Sequence, residues 1–164
     1  MIVEFWINGE VGHAATRRDV NTAITRALVE LESERKVPVG FDPGTTASFH
    51  VFDIPADADI PKTADNSLTV GVNRSTGYGG LVWWGEQYLE DTGHLSFVTK
   101  SENPPDFDPR VTADPCHPLW YDKQNVVPIQ MVQEALEEFC FNGGNRPTAV
   151  EWEPSTVNGQ RLNE

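Results

Sequence analysis

The chain has 164 residues, of which 38% are hydrophobic and 5 are Trp. This length favours a single domain that buries a core without help from disulfides or metal. No apolar run is long enough to span a membrane. The N-terminus, MIVEFWINGE, carries Glu4 where a signal peptide has Lys or Arg followed by an apolar stretch. We therefore expect a cytoplasmic protein that does not bind membranes.

The formal net charge of −13 comes mainly from the later part of the chain. Residues 1–50 hold seven acidic and five basic residues, whereas residues 51–164 hold eighteen acidic and seven basic ones. Such a surface repels nucleic acid and attracts basic partners. Solubility alone also accounts for an acidic surface, and it is the simpler explanation of the charge.

The first elements predicted along the chain are a strand, a helix and a second strand. Residues 1–8 form the first strand, which Gly9 ends. Thr16 and Asp19 have the spacing of a capping box and therefore open a helix. Alternation over residues 47–53 predicts the second strand. The apolar residues of the helix recur at amphipathic spacing and are Val20, Ile24, Ala27, Leu28 and Leu31.

The middle of the chain predicts a hairpin and one further strand. Residues 67–72 alternate as in a half-buried antiparallel strand, and residues 78–84 return as its partner. Gly79 and Gly80 predict either a bulge or the close approach of another backbone. Residues 94–99 predict the next strand.

The last third predicts a long excursion, a helix and a short strand. Residues 101–125 are rich in Pro and Asp, and a structureless segment of this length is either functional or partly disordered. A helix starts near Pro128, and Gly143 and Gly144 supply its left-handed stop. Residues 148–152 predict the final strand. The buried face of the helix comprises Met131, Val132, Ala135, Leu136 and Phe139.

These elements predict an α+β fold. It has an antiparallel sheet of about five to six strands with two helices packed on one face, in the order β-α-β-β-β-β-loop-α-β. We expect one domain over residues 1–164, with a folded core at 1–153 and a loose C-terminal tail at 154–164. The face of the sheet without helices is left for solvent or a partner.

The final helix, its Gly-Gly stop and the spacing of Arg146, Pro147, Val150 and Trp152 resemble the first-numbered immunity-protein family of bacterial polymorphic toxin systems. The resemblance implies a small cytoplasmic antidote encoded beside a secreted toxin, which is often a nucleic-acid deaminase. We expect these four motif residues to be structural. Arg146 is expected to bind backbone carbonyls or an acidic side chain near the end of the helix.

Motifs for catalysis and metal binding are absent from the sequence. A zinc deaminase needs His-x-Glu and Pro-Cys-x-x-Cys, but Cys116 is followed by Leu119, and no His has Glu two positions later. Asp106, Asp108 and Asp114 lack the spacing of a calcium loop. There is no nucleophile elbow and no phosphate-binding loop before a helix. The sequence therefore predicts no enzyme, no metal and no cofactor.

We expect an immunity protein that binds a toxin, most simply a nucleic-acid deaminase, and occludes its active site or substrate groove stoichiometrically. The alternatives are immunity to a nuclease toxin, or a small enzyme or assembly protein without a recognisable motif. Trp83 and Trp84 are adjacent on a strand, so one faces the core and the other is exposed or covered by the excursion. The predicted partner-binding residues are Trp83, Trp84, Glu86, Tyr88, Glu90, Asp91, Glu102, Asp106, Asp108 and Tyr121.

Overall fold

One antiparallel sheet organises the protein, and its two longer helices lie on one face of that sheet. The computed structural model describes residues 1–35 and 37–162, except the side chains of Arg35 and Asp91. The strands are β1 (Ile2–Ile7), β2 (Glu10–Ala14), β3 (Ser33–Arg35), β4 (Asp42–Gly44), β5 (Ala47–Phe52), β6 (Asn66–Asn73), β7 (Tyr78–Gly85), β8 (Ser96–Lys100), β9 (Thr112–Asp114), β10 (Leu119–Trp120), β11 (Val127–Pro128) and β12 (Glu151–Pro154). The helices are α1 (Arg17–Glu30), α2 (Leu89–Thr92) and α3 (Ile129–Phe141), with 3-10 turns at Glu86–Tyr88 and Lys123–Asn125.

The main sheet has the strand order β12-β8-β7-β6-β5-β1-β2, and β11 pairs with the start of β7. All of these neighbouring strands are antiparallel. The predicted α+β class, with an antiparallel sheet and two helices, is confirmed. Over the described residues the sheet has eight strands, which is more than the five to six expected.

The additional strand β2 follows a tight hairpin turn after β1. Ile7 and Glu10 are register partners, so only Asn8 and Gly9 lie in the turn. Both have positive φ angles, 52° and 77°. Asn-Gly is the dipeptide most suited to such a two-residue hairpin because both positions require the left-handed region. Gly9 therefore turns the chain into a second strand and does not merely end the first.

The ends of the two longer helices follow the predicted capping. Thr16 Oγ1 accepts a hydrogen bond from Asp19 N at 3.1 Å at the start of α1. Gly143 and Gly144 follow α3 with φ angles of 65° and 79°. Gly144 N donates to Phe139 O at 3.0 Å, which satisfies a carbonyl of the last helical turn. Both predicted signals thus fix the lengths of the helices.

The main apolar core lies between the helices and the inward face of the sheet. Both α1 and α3 contribute to it, and the two helices contact each other. Burial of this apolar surface is the main force that holds the layers together. Its largest fully buried side chains are Trp83, Phe49, Phe139, Ile7, Ile24, Leu31, Leu68, Leu81 and Leu136.

Residues 101–125 cover part of the opposite face of the sheet and do not form a structureless excursion. They contain the β9–β10 hairpin. Asn125 Nδ2 donates to Thr99 O at 2.8 Å, and Thr99 Oγ1 donates to Asn125 O at 2.6 Å, so the end of the segment is bonded to β8. A second apolar cluster under this segment comprises Val82, Val98, Val111, Ala113, Tyr121 and Val126.

The segment after β12 is also folded, contrary to the expected loose tail. Ser155 is buried and pairs with Arg161 in an isolated antiparallel bridge. Gly159 is buried in the turn between them. Backbone pairing therefore extends order through residues 154–162, whereas Asn163 and Glu164 lie outside the described residues.

None of the helices within residues 1–35 and 37–162 is long and apolar enough to cross a membrane.

Candidate partner-binding surfaces

The adjacent residues Trp83 and Trp84 of β7 face opposite sides of the sheet, as predicted. Trp83 is 0% exposed, and its Nε1 donates to Gly144 O at 3.1 Å inside the helix-side core. Trp84 is half-buried on the opposite face. Trp83 is therefore a core residue. The prediction that it contacts a partner is wrong, because a fully buried side chain cannot reach a partner in this fold.

Tyr121 is also buried, with 2% of its surface exposed, so it cannot form a partner contact either. Its ring lies against Gly71 and Gly80, which are register partners in β6 and β7. A Cβ on Gly80 would lie 2.7 Å from the ring, so the glycine pair makes the slot that the ring fills. Burial raises the pKa of the Tyr121 phenol well above its ordinary value. Tyr121 attaches the 101–125 segment to the sheet.

The predicted acidic contact residues form two groups at opposite ends of the sheet. Glu86 and Glu90 follow the end of β7 and are exposed. The acidic residues within 102–108 follow β8, the antiparallel neighbour of β7, and the Phe107 ring lies 5.9 Å from the ring of Tyr78 at the start of β7. Because β7 has eight residues, the two groups are about 25 Å apart along the strands. They do not form one continuous patch.

The remaining two predicted residues near β7 belong to the short α2 region. Tyr88 packs edge-on against Trp83, with ring centroids 4.7 Å apart, and is half-buried. Its ring therefore supports the core, and the residue remains partly exposed. Asp91 lies in α2, but its side chain is outside the described part of the structure.

Three of the residues considered for metal binding, Asp108, Asp114 and Cys116, are engaged in local turns. Asp114 accepts hydrogen bonds from Cys116 N at 2.9 Å and pairs with His117 Nδ1 at 2.6 Å. Burial alone would raise the pKa of Asp114, but these hydrogen bonds outweigh it and lower the pKa. Asp108 accepts from Arg110 N at 2.9 Å. Among the described residues, no three His, Cys, Asp or Glu side chains are grouped closely enough to hold a metal ion.

A cleft of about 370 Å³ lies beside Glu102, between the end of β8 and the start of α3. Its charged lining consists of Lys100, Glu102 and Glu151, and Val127 and Met131 contribute apolar surface. The described lining contains neither His nor Cys. The cleft can accept a side chain of a partner, but it contains no nucleophile paired with a histidine base.

Comparison with protein families identifies the class of this chain. The family model described as Immunity protein Imm1 matches residues 9–154, which is most of the chain. The chain belongs to the Imm1 immunity-protein family. Membership implies an immunity protein that acts against a toxin. Among curated proteins and among solved structures, no match is found.

Within this Imm1 chain, Arg146 lies over an aromatic cluster. Its guanidinium carbon is 4.4 Å from the ring centroid of Phe97, 5.0 Å from that of Tyr88 and 6.0 Å from that of Trp83. A cation over aromatic faces at these distances is attracted by the ring quadrupoles. We expected carbonyl or acidic oxygens as the partners of Arg146, but three aromatic rings take their place. These rings are distant from Arg146 in the sequence, so a sequence pattern could not reveal the contact.

The other motif residues stabilise the segment that connects α3 to β12. Trp152 Nε1 donates to Pro147 O at 2.7 Å, and Trp152 packs against the main core while remaining half-buried. Val150 is buried in the same core. These contacts of Pro147, Val150 and Trp152 are internal to the Imm1 domain. None of the three side chains belongs to an exposed acidic group.

Glu138 is a connecting residue that the sequence analysis missed. Its carboxylate accepts from Thr148 N at 2.7 Å, from Thr148 Oγ1 at 2.9 Å and from Ala149 N at 2.9 Å. The carboxylate therefore satisfies two backbone donors of the segment between α3 and β12. Glu138 lies on the flank of an amphipathic helix, where solvent-exposed acidic residues are common. The periodicity of the helix therefore did not distinguish Glu138 from such residues.

Proposed function

We propose that this Imm1 protein neutralises a cognate toxin that acts on nucleic acid, most simply a deaminase, by binding it in a stoichiometric complex. Membership of the immunity family is the observation that carries the proposal. The net charge of −13 supports the choice of a nucleic-acid-acting toxin, because such a toxin presents a basic surface to phosphates. The complex forms in the cytoplasm of the producing bacterium.

Inhibition occurs by occlusion of the toxin and not by a reaction. Exposed carboxylates compete with phosphate charge in the substrate groove, and the negative field of the protein speeds encounter. The two predicted acidic groups contribute to this field: Glu86 and Glu90 at one end of the sheet, and Glu102, Asp106 and Asp108 at the other. An assembled interface then prevents the substrate from entering.

The direct test is titration of the toxin domain encoded by the adjacent upstream gene. Deamination of a single-stranded oligonucleotide is measured against increasing amounts of the purified protein. We expect activity to end at a fixed molar ratio. A folded acidic protein of similar charge but different fold is the control, since it reproduces any general polyanion effect.

The same titration distinguishes the toxin classes. Conversion of bases without strand cleavage assigns a deaminase, whereas cleavage that the protein blocks assigns the nuclease alternative. Full toxin activity in the presence of a large excess of the protein would contradict neutralisation of this toxin. Turnover of nucleic acid by the purified protein alone would contradict inhibition by occlusion.

A further inference from the structure

Part of the sheet face opposite the helices remains exposed beside residues 101–125 and the C-terminal turn. On this face Trp6 of β1 is flanked by its register partners, Val11 of β2 and Ser48 of β5. Ser48 in turn pairs with Thr69 of β6. Side chains directly opposite each other in antiparallel strands lie on the same face. We call this surface, with Trp84 of β7 at its far side, the open face.

Trp6 is a large exposed aromatic residue that is held in place within the open face. It is 44% exposed, and its Nε1 donates to Glu4 Oε1 at 3.2 Å. The other oxygen of Glu4 is 2.9 Å from His13 Nε2. Because its polar atom is already bonded, the indole can bury its ring against a partner without leaving a donor unpaired. A side chain ordered before binding also loses less entropy on association.

Further apolar side chains lie on the open face on both sides of Trp6. Val11 is 48% exposed beside it. On the far side, a hollow of about 270 Å³ is lined by Ser67, Thr69, Val82, Trp84 and Val157, and Val157 is exposed. Small side chains between two Trp rings give the surface a shape into which a protruding side chain fits. An exposed Trp and a half-buried Trp on the same surface, with such a hollow beside the second, are typical of interface hot spots.

The open face has an acidic border at the end of β5 and the start of β6. The connecting residues 53–65 turn back towards the start of β1, where the amino group of Met1 donates to Ile54 O at 2.8 Å. Lys62 supplies the one basic side chain of this segment. Its four acidic side chains are all exposed and are Asp53, Asp57, Asp59 and Asp65. Basic side chains around an apolar contact would complement this border.

We propose that the open face is the docking surface for the toxin, with Trp6 as its aromatic anchor and the Asp residues of 53–65 as the rim that pairs with basic toxin side chains. This inference rests on the proposed function and specifies its contact surface. A second copy of the chain is a poorer occupant, because stacking two open faces would bring two acidic rims and two charges of −13 together.

The anchor is tested by adding one positive charge at either of two exposed valines. Val11→Arg places it on the open face, and Val29→Arg places it on α1, where Val29 is 59% exposed. Binding to the catalytically inactivated toxin domain is measured by calorimetry. We expect Val11→Arg to raise the Kd at least about tenfold and Val29→Arg to change it less than about threefold. Trp6→Ala should match Val11→Arg once circular dichroism shows that it is folded.

The rim is tested by comparing two double variants, each of which removes two negative charges from a different place. The first double variant, Asp57→Asn with Asp59→Asn, removes two charges from the acidic border. The control, Glu134→Gln with Glu137→Gln, removes two charges from α3. Association rates are measured against ionic strength. We expect slower association and a flatter salt dependence for the first pair, since charges at the rim act on the on-rate. A larger effect from neutralising Glu102 and Asp106 would place docking at the opposite end of the sheet and overturn the inference.

The results distinguish a failure of this surface from a failure of the proposed function. If the wild-type protein does not bind the toxin, both proposals fall. If it binds and Val11→Arg binds equally well, neutralisation stands and the open face is excluded as the docking surface. Light scattering of the wild type supplies a further check: a dimer that Val11→Arg dissociates would assign the open face to a second copy.

Discussion

Trp83 donates a hydrogen bond from Nε1 to Gly144 O at 3.1 Å, linking the middle of the sheet to the turn that ends α3. Gly144 has a φ of 79°, and a Cβ there would lie 2.5 Å from the side chain of Asn66. The turn can approach the sheet this closely only because a glycine occupies the position. The Gly-Gly stop thus fixes both the end of a helix and its distance from the core.

Replacing either of the adjacent tryptophans should have very different effects. Trp83→Ala empties a fully buried site and removes the bond to Gly144, so we expect a loss of about 3–5 kcal/mol in the free energy of unfolding. Trp84→Ala removes a half-buried ring from the other face and should cost about 1 kcal/mol. Urea unfolding followed by circular dichroism measures both. Equal losses would contradict the assignment of only one of the two rings to the core.

Elements with a local pattern could be predicted from the sequence. The helical periodicity, the Thr16 cap and the glycines after α3 all depend on residues close together in the chain. Alternation over residues 67–72 and 78–84 similarly indicated the central hairpin. Two adjacent residues on one strand must point to opposite faces, so the different environments of Trp83 and Trp84 also followed.

Features that depend on distant contacts could not be predicted. The 101–125 segment shows no periodicity because its regular elements are short: the strands of the β9–β10 hairpin have three and two residues. Gly71 and Gly80 give a signal only when their pairing is known, and that pairing makes the slot for Tyr121. The acidic residues at 86–90 and 102–108 are near in sequence, yet antiparallel strands carry them to opposite ends. The Asn8-Gly9 turn, in contrast, carries a local signal that could have predicted β2.

The buried hydroxyl of Tyr121 should contribute nothing to stability. It has no hydrogen-bond partner among the described residues, so Tyr121→Phe removes a polar group that is already costly to bury. We expect the free energy of unfolding to rise or to change by less than about 0.5 kcal/mol. Tyr121→Ala should lose about 3–5 kcal/mol because the slot over the two glycines is emptied. A loss above about 1 kcal/mol for Tyr121→Phe would indicate that the hydroxyl is bonded.

Glu138→Gln should weaken the connection between α3 and β12. Glutamine retains one acceptor oxygen, but the charge that strengthens the bonds from Thr148 and Ala149 is lost. We expect a loss of about 1–2 kcal/mol in the free energy of unfolding. Glu134→Gln on the same helix is the control, since within the described part of the chain Glu134 accepts a single surface hydrogen bond, from Gln130 at 3.3 Å. Equal effects for the two variants would show that helix charge, and not the bonded segment, determines the loss.

The ion pair of Glu34 and Arg110 should make stability depend on pH in the acidic range. Arg110 Nε and Nη2 donate to the two carboxylate oxygens of Glu34 at 3.0 and 2.8 Å, across 76 residues of sequence. The hydrogen bonds from Arg110 lower the pKa of Glu34, and they outweigh the small effect of burial, which raises it. The guanidinium is also held over the ring of Trp120 at 4.3 Å.

Because the folded pKa of Glu34 lies below its ordinary value of 4.5, folding favours the ionised carboxylate. The stabilisation is complete above pH 4.5 and is lost as the pH falls through the folded pKa. Urea unfolding of wild type and Glu34→Gln should therefore differ near neutral pH and converge in acid. Glu102→Gln, at an exposed acid outside this pair, should show no such convergence. A difference between wild type and Glu34→Gln that stays constant down to about pH 3 would contradict a folded-state pair.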